Sequence, residues 1–217
     1  MVYRILSLLI GYAFGIIQTA FIVGKLEGID IREHGSGNAG STNTLRVLGK
    51  KKGAIVFFLD IFKAILAFAT ATLIFGGESS LSFGISHNIY FGIYAGLGAI
   101  LGHCFPFYLK FKGGKGIACA IGIMLSIDFI ISITMIAFCI SIVILKKYVS
   151  LGSIIFVSAA PLFLAVYGFS FEIIMVSISI SFICLFLHLE NIKRLLSGTE
   201  RKIGDTKDKI TNVELEE

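Results

Sequence analysis

Three short polar segments carry most of the side chains able to do chemistry. The first is Gly35-Ser36-Gly37-Asn38-Ala39-Gly40-Ser41-Thr42-Asn43, followed by Arg46. Glycines let a backbone approach a ligand closely. Ser, Thr and Asn bring hydrogen-bonding groups, and Arg46 offers a planar fork suited to phosphate. The plain alternative is a loop packed against helix ends. The second segment is Gly102-His103-Cys104-Phe105-Pro106, then Phe111-Lys112-Gly113-Gly114-Lys115-Gly116. It should open a helix, whose N-terminus presents unpaired N–H groups and the positive end of a dipole. Glycines there expose amides, and Lys112 and Lys115 add charge, as an anionic phosphate requires. It is not a Walker A loop, because Gly116 stands where Ser or Thr should follow Lys115. Its plain alternative is a basic loop that only sets topology. The third segment is His188-Leu189-Glu190-Asn191-Ile192-Lys193-Arg194, ending in Gly198-Thr199-Glu200. His188 and Asn191 lie three apart and should share a helix face. A histidine there can accept or donate a proton, although an interfacial histidine is often simply solvated.

The elements that must hold these segments are apolar. Of the 217 residues, 56% are hydrophobic and only 15% charged, against about 25% charged in soluble domains. The mean hydropathy is +0.90. This places the chain among membrane proteins. Without tryptophan, Tyr must anchor the interfaces. Apolar segments run at 4–24, 53–75, 89–108, 116–145, 152–168 and 171–190. A spanning helix needs about 20 residues. The run from Ile5 to Val23 is long for a signal peptide and continues without a small-residue cleavage site, so it reads as the first anchor. The four cysteines, Cys104, Cys119, Cys139 and Cys184, form no close pairs and read as small hydrophobes in helix packing.

Orientation follows from the basic residues, which is also the first meaning of the +5 net charge. Lys25, Arg32, Arg46 and Lys50 to Lys52 follow the first segment, and only Arg4 precedes it. The N-terminus is therefore expected outside and the first loop inside. The second loop, Gly76 to Asn88, has no Lys or Arg and belongs outside; the third, with Lys110, Lys112 and Lys115, belongs inside. Segment 116–145 contains Ser126-Ile127-Asp128. Splitting it near Asp128 puts Lys146, Lys147 and the basic tail from Lys193 on the same inner side. The expectation is an all-α integral membrane protein with seven transmembrane helices, N-terminus outside and C-terminus cytoplasmic. Two of those helices are short. Asp60 and Lys63, three apart in the second helix, should pair and face protein, with an ion or proton path as the functional alternative.

With these motifs in order and on one side, the sequence closely resembles the bacterial acyl-phosphate:glycerol-3-phosphate acyltransferases. The likeness rests on Ser36 to Asn43, on Gly102-His103 through Phe105-Pro106 to Lys112-Gly113-Gly114-Lys115-Gly116, and on His188 through Glu190-Asn191-Ile192 to Gly198-Thr199-Glu200. Asp60-x-x-Lys63 also looks like a family feature, and the likeness extends from about residue 4 to 203. There are departures. Ser41 stands where the family usually has Ala, Cys119 where it often has Thr, and Leu187 where it often has Arg. No histidine (His34, His87, His103, His188) has Asp five positions later, the spacing of the glycerolipid acyltransferases that use acyl-CoA or acyl carrier protein. Neither a His-Glu-x-x-His zinc site nor a Gly-x-Ser-x-Gly elbow occurs.

The resemblance implies a bacterial plasma (inner) membrane enzyme whose active site faces the cytoplasm. Residues 1–203 would form a single transmembrane acyltransferase domain and 204–217 a polar tail. It would transfer an acyl group from acyl phosphate to the 1-hydroxyl of glycerol 3-phosphate, giving lysophosphatidic acid and inorganic phosphate. The candidate catalytic residues are Ser36, Lys115, His188 and Asn191. Candidate substrate contacts are Gly37, Asn38, Thr42, Asn43, Arg46, His103, Lys112, Gly113, Gly114, Gly116 and Ser150. No metal or cofactor is expected, and no nucleic acid. The implied partners are the two substrates, the bilayer and a functional link to an enzyme that makes acyl phosphate. A transporter for a phosphorylated small molecule is the rival from another class, and a non-catalytic membrane scaffold is a second. Neither internal repeat nor midplane glycine break supports the transporter.

Overall fold

The computed structural model describes residues 1–76 and 89–204, and every regular element among them is helical. Most of the loop expected outside, His87 included, and the tail from residue 205 lie outside the described residues. The α-helices are α1 (Val2–Gly15), α2 (Thr19–Leu26), α3 (Ser41–Leu48), α4 (Lys50–Phe75) and α5 (Ile89–Cys104). They continue with α6 (Ile117–Ile127), α7 (Phe129–Lys146), α8 (Val149–Val166), α9 (Phe171–Leu187) and α10 (Leu189–Leu196).

The first apolar run is not one unbroken helix. It stops after Gly15 and resumes at Thr19. A break inside a membrane frees backbone carbonyls, which is tolerated only where protein re-satisfies them. Here Gln18 Nε2 donates to Gly15 O (3.3 Å), Tyr108 Oη to Ile16 O (2.7 Å) and Lys63 Nζ to Ile17 O (2.7 Å). Three polar side chains thus stitch the break to α4 and to the segment after α5.

The segment 116–145 is two helices. Asp128 is extended, and its Oδ1 accepts from Ile131 N at 2.8 Å, capping α7. α6 has only 11 residues, or about 16 Å of helix. Lys146 and Lys147 consequently end on the side where α6 began: Ile203 N donates to Lys147 O at 2.8 Å. At the other end, Arg4 grips Glu172 at the start of α9 with two hydrogen bonds, of 2.6 and 2.9 Å.

Among the described residues, five helical stretches are long and apolar enough to cross a membrane: Val2–Leu26, Lys50–Phe75, Ile89–Leu109, Phe129–Lys146 and Val149–Val166. The α9–α10 pair, bent by 60°, makes a sixth if taken as one span, and α6 is a shorter apolar helix.

α1 and α5 meet backbone to backbone. A Cβ on Gly11 would lie 1.8 Å from Ala95 O, and one on Gly15 2.3 Å from Ala99 O. Reciprocally, a Cβ on Gly98 would meet Leu8 O at 2.1 Å and one on Gly102 Tyr12 O at 2.4 Å. These four residues form two small-xxx-small pairs, the pattern that allows close helix approach in membranes. The main core joins α4 to α9 through residues such as Phe68, Ile93, Ile123, Met135, Phe156 and Leu164. A smaller core of Ala20, Ile29, Ile31, Ala39, Val47 and Val56 supports the first polar segment. All four cysteines are buried and free, within the helix packing expected of them.

Candidate active site

The first polar segment is a loop only as far as Gly40 and becomes helix α3 at Ser41, which carries Arg46. Asn43 holds the loop that precedes it. Its Nδ2 donates to Ile31 O and His34 O, both at 3.0 Å, and its Oδ1 accepts from Ser36 N at 2.8 Å. With 1% of its surface exposed, Asn43 is a clasp, both of its amide N–H groups already donated to the loop. Ser36 and Gly37 are exposed at the top of that loop, whereas Asn38, Thr42 and Arg46 are half-buried. Asp30 and Arg32 brace the same loop with a 2.6 Å ion pair, and Arg32 also donates to Leu109 O (3.3 Å).

The second segment folds back on the end of α5. Gly113 N donates to Cys104 O (3.1 Å), Gly114 N to His103 O (3.0 Å) and Lys112 N to Leu109 O (3.2 Å). These amides already have acceptors, so the expected exposure of the Lys112–Gly114 amides to a phosphate is corrected. The N–H groups of the first turn of α6, which helix geometry leaves without partners, remain for that task. Gly113 and Gly114 are small because the loop must pass closely over α5. A Cβ would lie 2.0 Å from His103 O at Gly113, and 2.1 Å from His103 Nε2 at Gly114. Gly116 has φ 82°, in the left-handed region, and lies against Cys184, Ile100 and Cys104. Lys112 is exposed, while Lys115 turns inward.

His103, expected at the substrate, is 3% exposed and faces the interior. Its Nδ1 lies 3.0 Å from Lys63 Nζ, which also forms a 2.7 Å ion pair with Asp60. The expected Asp60–Lys63 pair is therefore present and buried. Cys119, which stands where the family often has Thr, is fully buried, with Sγ 3.5 Å from Asp60 O.

The third segment straddles the bend between α9 and α10 instead of lying on one helix. His188 sits at the bend, buried, with Nδ1 2.7 Å from Cys184 O. A proton on Nδ1 satisfies that carbonyl and leaves Nε2 as an acceptor. Asn191 Oδ1 receives Lys115 Nζ, and Asn191 Nδ2 donates to Glu200 Oε1 at 2.8 Å. Ser150 Oγ donates to the same oxygen at 2.7 Å, while Arg194 Nε reaches Glu200 Oε2 at 2.7 Å. Glu200 is thus a buried hub, and Ser150, expected as a substrate contact, instead supports it. Burial disfavours the Glu200 carboxylate, but the hydrogen bonds from Asn191, Ser150 and Arg194 outweigh it and leave its pKa lowered.

Lys115 is where the segments converge. Burial, followed by the positive charges of Arg194 and Arg46, lowers its pKa to about 8, against the opposing pull of Glu200 and Glu190. Positive charge from α3, the α6 N-terminus and α10 thus acts on Lys115, with the Glu200 carboxylate balancing part of it. Lys115, His188, Asn191 and Arg46 are therefore brought together, with the first turn of α6 beside them. Glu200 and Arg194 belong to the third sequence motif, which does not by itself reveal their place in the site. Their signal is a carboxylate just past a basic helix end, and only the tertiary turn after Gly198 shows what it touches.

Fold and site together define a multi-pass membrane protein, all-helical among the described residues, with a cluster of basic and polar side chains at one end of its helices. The profile of the glycerol-3-phosphate acyltransferase family matches residues 5–198, and the chain belongs to that family. The glycerol-3-phosphate acyltransferase of Alkaliphilus metalliredigens is 42% identical over 202 residues, covering 93% of this chain and 96% of the relative. That of Clostridioides difficile is 38% identical over 208 residues, covering 94% and 97%. In three dimensions the chain is similar to PlsY (YgiH), an integral membrane glycerol 3-phosphate acyltransferase crystallised in its glycerol 3-phosphate form. The TM-score is 0.82 at 36% identity, covering 93% of this chain and 96% of that one.

Proposed function

We propose that this protein transfers a fatty acyl group from acyl phosphate to the 1-hydroxyl of glycerol 3-phosphate, giving lysophosphatidic acid and inorganic phosphate. The observation that carries the reading is the convergence on Lys115 of Arg46, Asn191, Arg194 and Glu200, beside the first turn of α6. Family membership supplies the acceptor.

The donor follows from the chemistry at hand. Acyl phosphate is a mixed anhydride and needs no covalent nucleophile, so positioning and electrostatic stabilisation suffice. The thiols are all buried in helix packing. Lys115 and the α6 amides hold the acyl-phosphate group. Arg46, with Ser36, Asn38 and Thr42 around the α3 N-terminus, orients glycerol 3-phosphate. The acceptor hydroxyl oxygen attacks the acyl carbon and the carbon–phosphate oxygen bond breaks. The hydroxyl proton passes to His188 Nε2 or directly to a phosphate oxygen, and ends on the departing phosphate. Asn191 keeps Lys115 aimed, and Ser150 and Glu200 keep Asn191 in place.

In the membrane, residues 1–203 act as one seven-helix domain, with α6 the short member and the tail 204–217 on the cytoplasmic side with the site. The N-terminus lies outside, as the basic loops require, in a bacterial plasma membrane, where an enzyme producing acyl phosphate supplies the donor.

The test is incubation of purified protein with palmitoyl phosphate and glycerol 3-phosphate, without CoA, following phosphate and lipid product together. Phosphate release that requires both substrates, with lysophosphatidic acid formed, is expected. Product formed only from acyl-CoA would overturn the donor. Folded protein silent with both donors would overturn the reaction.

A further inference from the structure

The buried charges at the break in the first span lie outside the reaction described above, yet they touch His103, on which the loop before α6 packs. Lys63 Nζ donates to Ile17 O at 2.7 Å, lies 3.0 Å from His103 Nδ1 and forms an ion pair with Asp60 Oδ1 at 2.7 Å. An ammonium has three N–H groups and no lone pair. In its contact with that ammonium, His103 Nδ1 must therefore be the acceptor. Asp60 Oδ1 also accepts from Thr19 Oγ1 (2.8 Å), as befits a carboxylate that balances Lys63. His103 is then a neutral ring with its N–H on Nε2.

Nε2 lies on the side of the ring that meets the loop. A Cβ built on Gly114 would stand 2.1 Å from His103 Nε2 and 2.9 Å from Ala39 O. The ring edge and the Ala39 carbonyl therefore close on Gly114 together. The His103 carbonyl is held as well, accepting from Gln18 Nε2 (3.0 Å) and from Gly114 N (3.0 Å). His103 is thus one support of the loop before α6, fixed at its ring by Lys63 and at its carbonyl by Gln18.

We infer that Asp60 and Lys63 are positioning residues for the donor site. They fix His103 in the tautomer with N–H at Nε2, and that ring seats Gly114, and with it Lys115 and the α6 N-terminus, against the α3 loop. The inference rests on the acyl-phosphate reading above for its kinetic consequence only.

Two measurements test it. In wild-type protein labelled with 15N-histidine in detergent, His103 is expected to show a protonated Nε2 and an unprotonated, hydrogen-bond-accepting Nδ1. An Nδ1–H tautomer or an imidazolium overturns the inference without any reference to activity. In the double variant D60N/K63M, which removes both buried charges together, KM for palmitoyl phosphate should rise roughly 10-fold or more, as loss of an outer supporting partner typically does. KM for glycerol 3-phosphate and kcat should each change less than about threefold, the signature of lost binding shared by ground and transition states. A merely structural role would lower the active fraction, hence kcat, and leave KM unmoved; that result overturns the inference. If the double variant does not fold, the tautomer measurement still decides. If wild-type enzyme makes no product from acyl phosphate, the functional reading fails while the tautomer result stands.

Discussion

Ser150 and Glu200, fifty residues apart, are joined by a 2.7 Å hydrogen bond from the serine hydroxyl to Oε1 of the buried carboxylate. That contact closes the C-terminal segment onto the start of α8. It fixes the oxygen that also holds Asn191, which in turn receives Lys115. A carboxylate without a substrate partner thereby sets the aim of the cation expected to meet the donor.

Removing that hub should disarm the site without unfolding the helices. Hydrogen bonds to charged groups contribute about 1.5–3 kcal/mol each. E200A is therefore expected to lower kcat/KM by roughly 10- to 100-fold, with S150A losing less. Steady-state rates beside a thermal melt check this, and full activity in E200A would remove Glu200 from the account.

The pH dependence should carry an alkaline limb from Lys115. Its pKa is lowered to about 8, so in the free enzyme the ammonium is present below pH 8 and lost as pH rises through it. kcat/KM for palmitoyl phosphate should fall above pH 8, and K115R should shift the fall upward. Between pH 8 and the ordinary lysine value the unfolded chain binds the proton more readily than the folded one, so this group's contribution to stability rises with pH. A melting temperature that does not track the activity loss distinguishes titration from unfolding.

Loop closeness makes a steric prediction. G114A places a methyl where His103 Nε2 and Ala39 O already stand, and G116A puts a side chain at φ 82°, a cost of about 1–2 kcal/mol. Both variants should lose acyl transfer while keeping the helical circular dichroism of the parent. Normal rates in G114A would show that the loop has room to spare.

The α1–α5 contact gives a stability prediction. G98V would drive its side chain into Leu8 O, and overpacking of this kind costs about 1–3 kcal/mol or more. The variant should melt at a lower temperature than wild type in detergent.

Much of this architecture is legible in the sequence. Hydropathy marks the apolar segments, and the polar interruption Ser126-Ile127-Asp128 together with the charge count divides 116–145 near Asp128, the residue that caps α7. The buried Asp60–Lys63 pair follows from spacing and the high cost of lone charges in lipid. The break at Gln18 is not legible, because its neighbours are apolar and the partners that satisfy it, Lys63 and Tyr108, come from elsewhere in the chain. Helix α3 hides behind glycines, serines and threonines that read as loop. The small-residue pairs Gly11/Gly15 and Gly98/Gly102 are visible in the sequence but gain meaning only once α1 and α5 are known to touch. In the site, residue types announce phosphate chemistry, yet which amides are free, which asparagine is a clasp and which histidine faces inward depend on tertiary contacts.

The most direct test of the account compares initial phosphate release from palmitoyl phosphate and glycerol 3-phosphate in folded wild-type, K115A and H188A protein under one condition. The convergence of the anion site on Lys115, with His188 at the bend beside it, predicts that each variant loses most of the rate, roughly 100-fold or more, as removal of a single electrostatic or proton-transfer group does. Near-normal turnover in both would contradict the site.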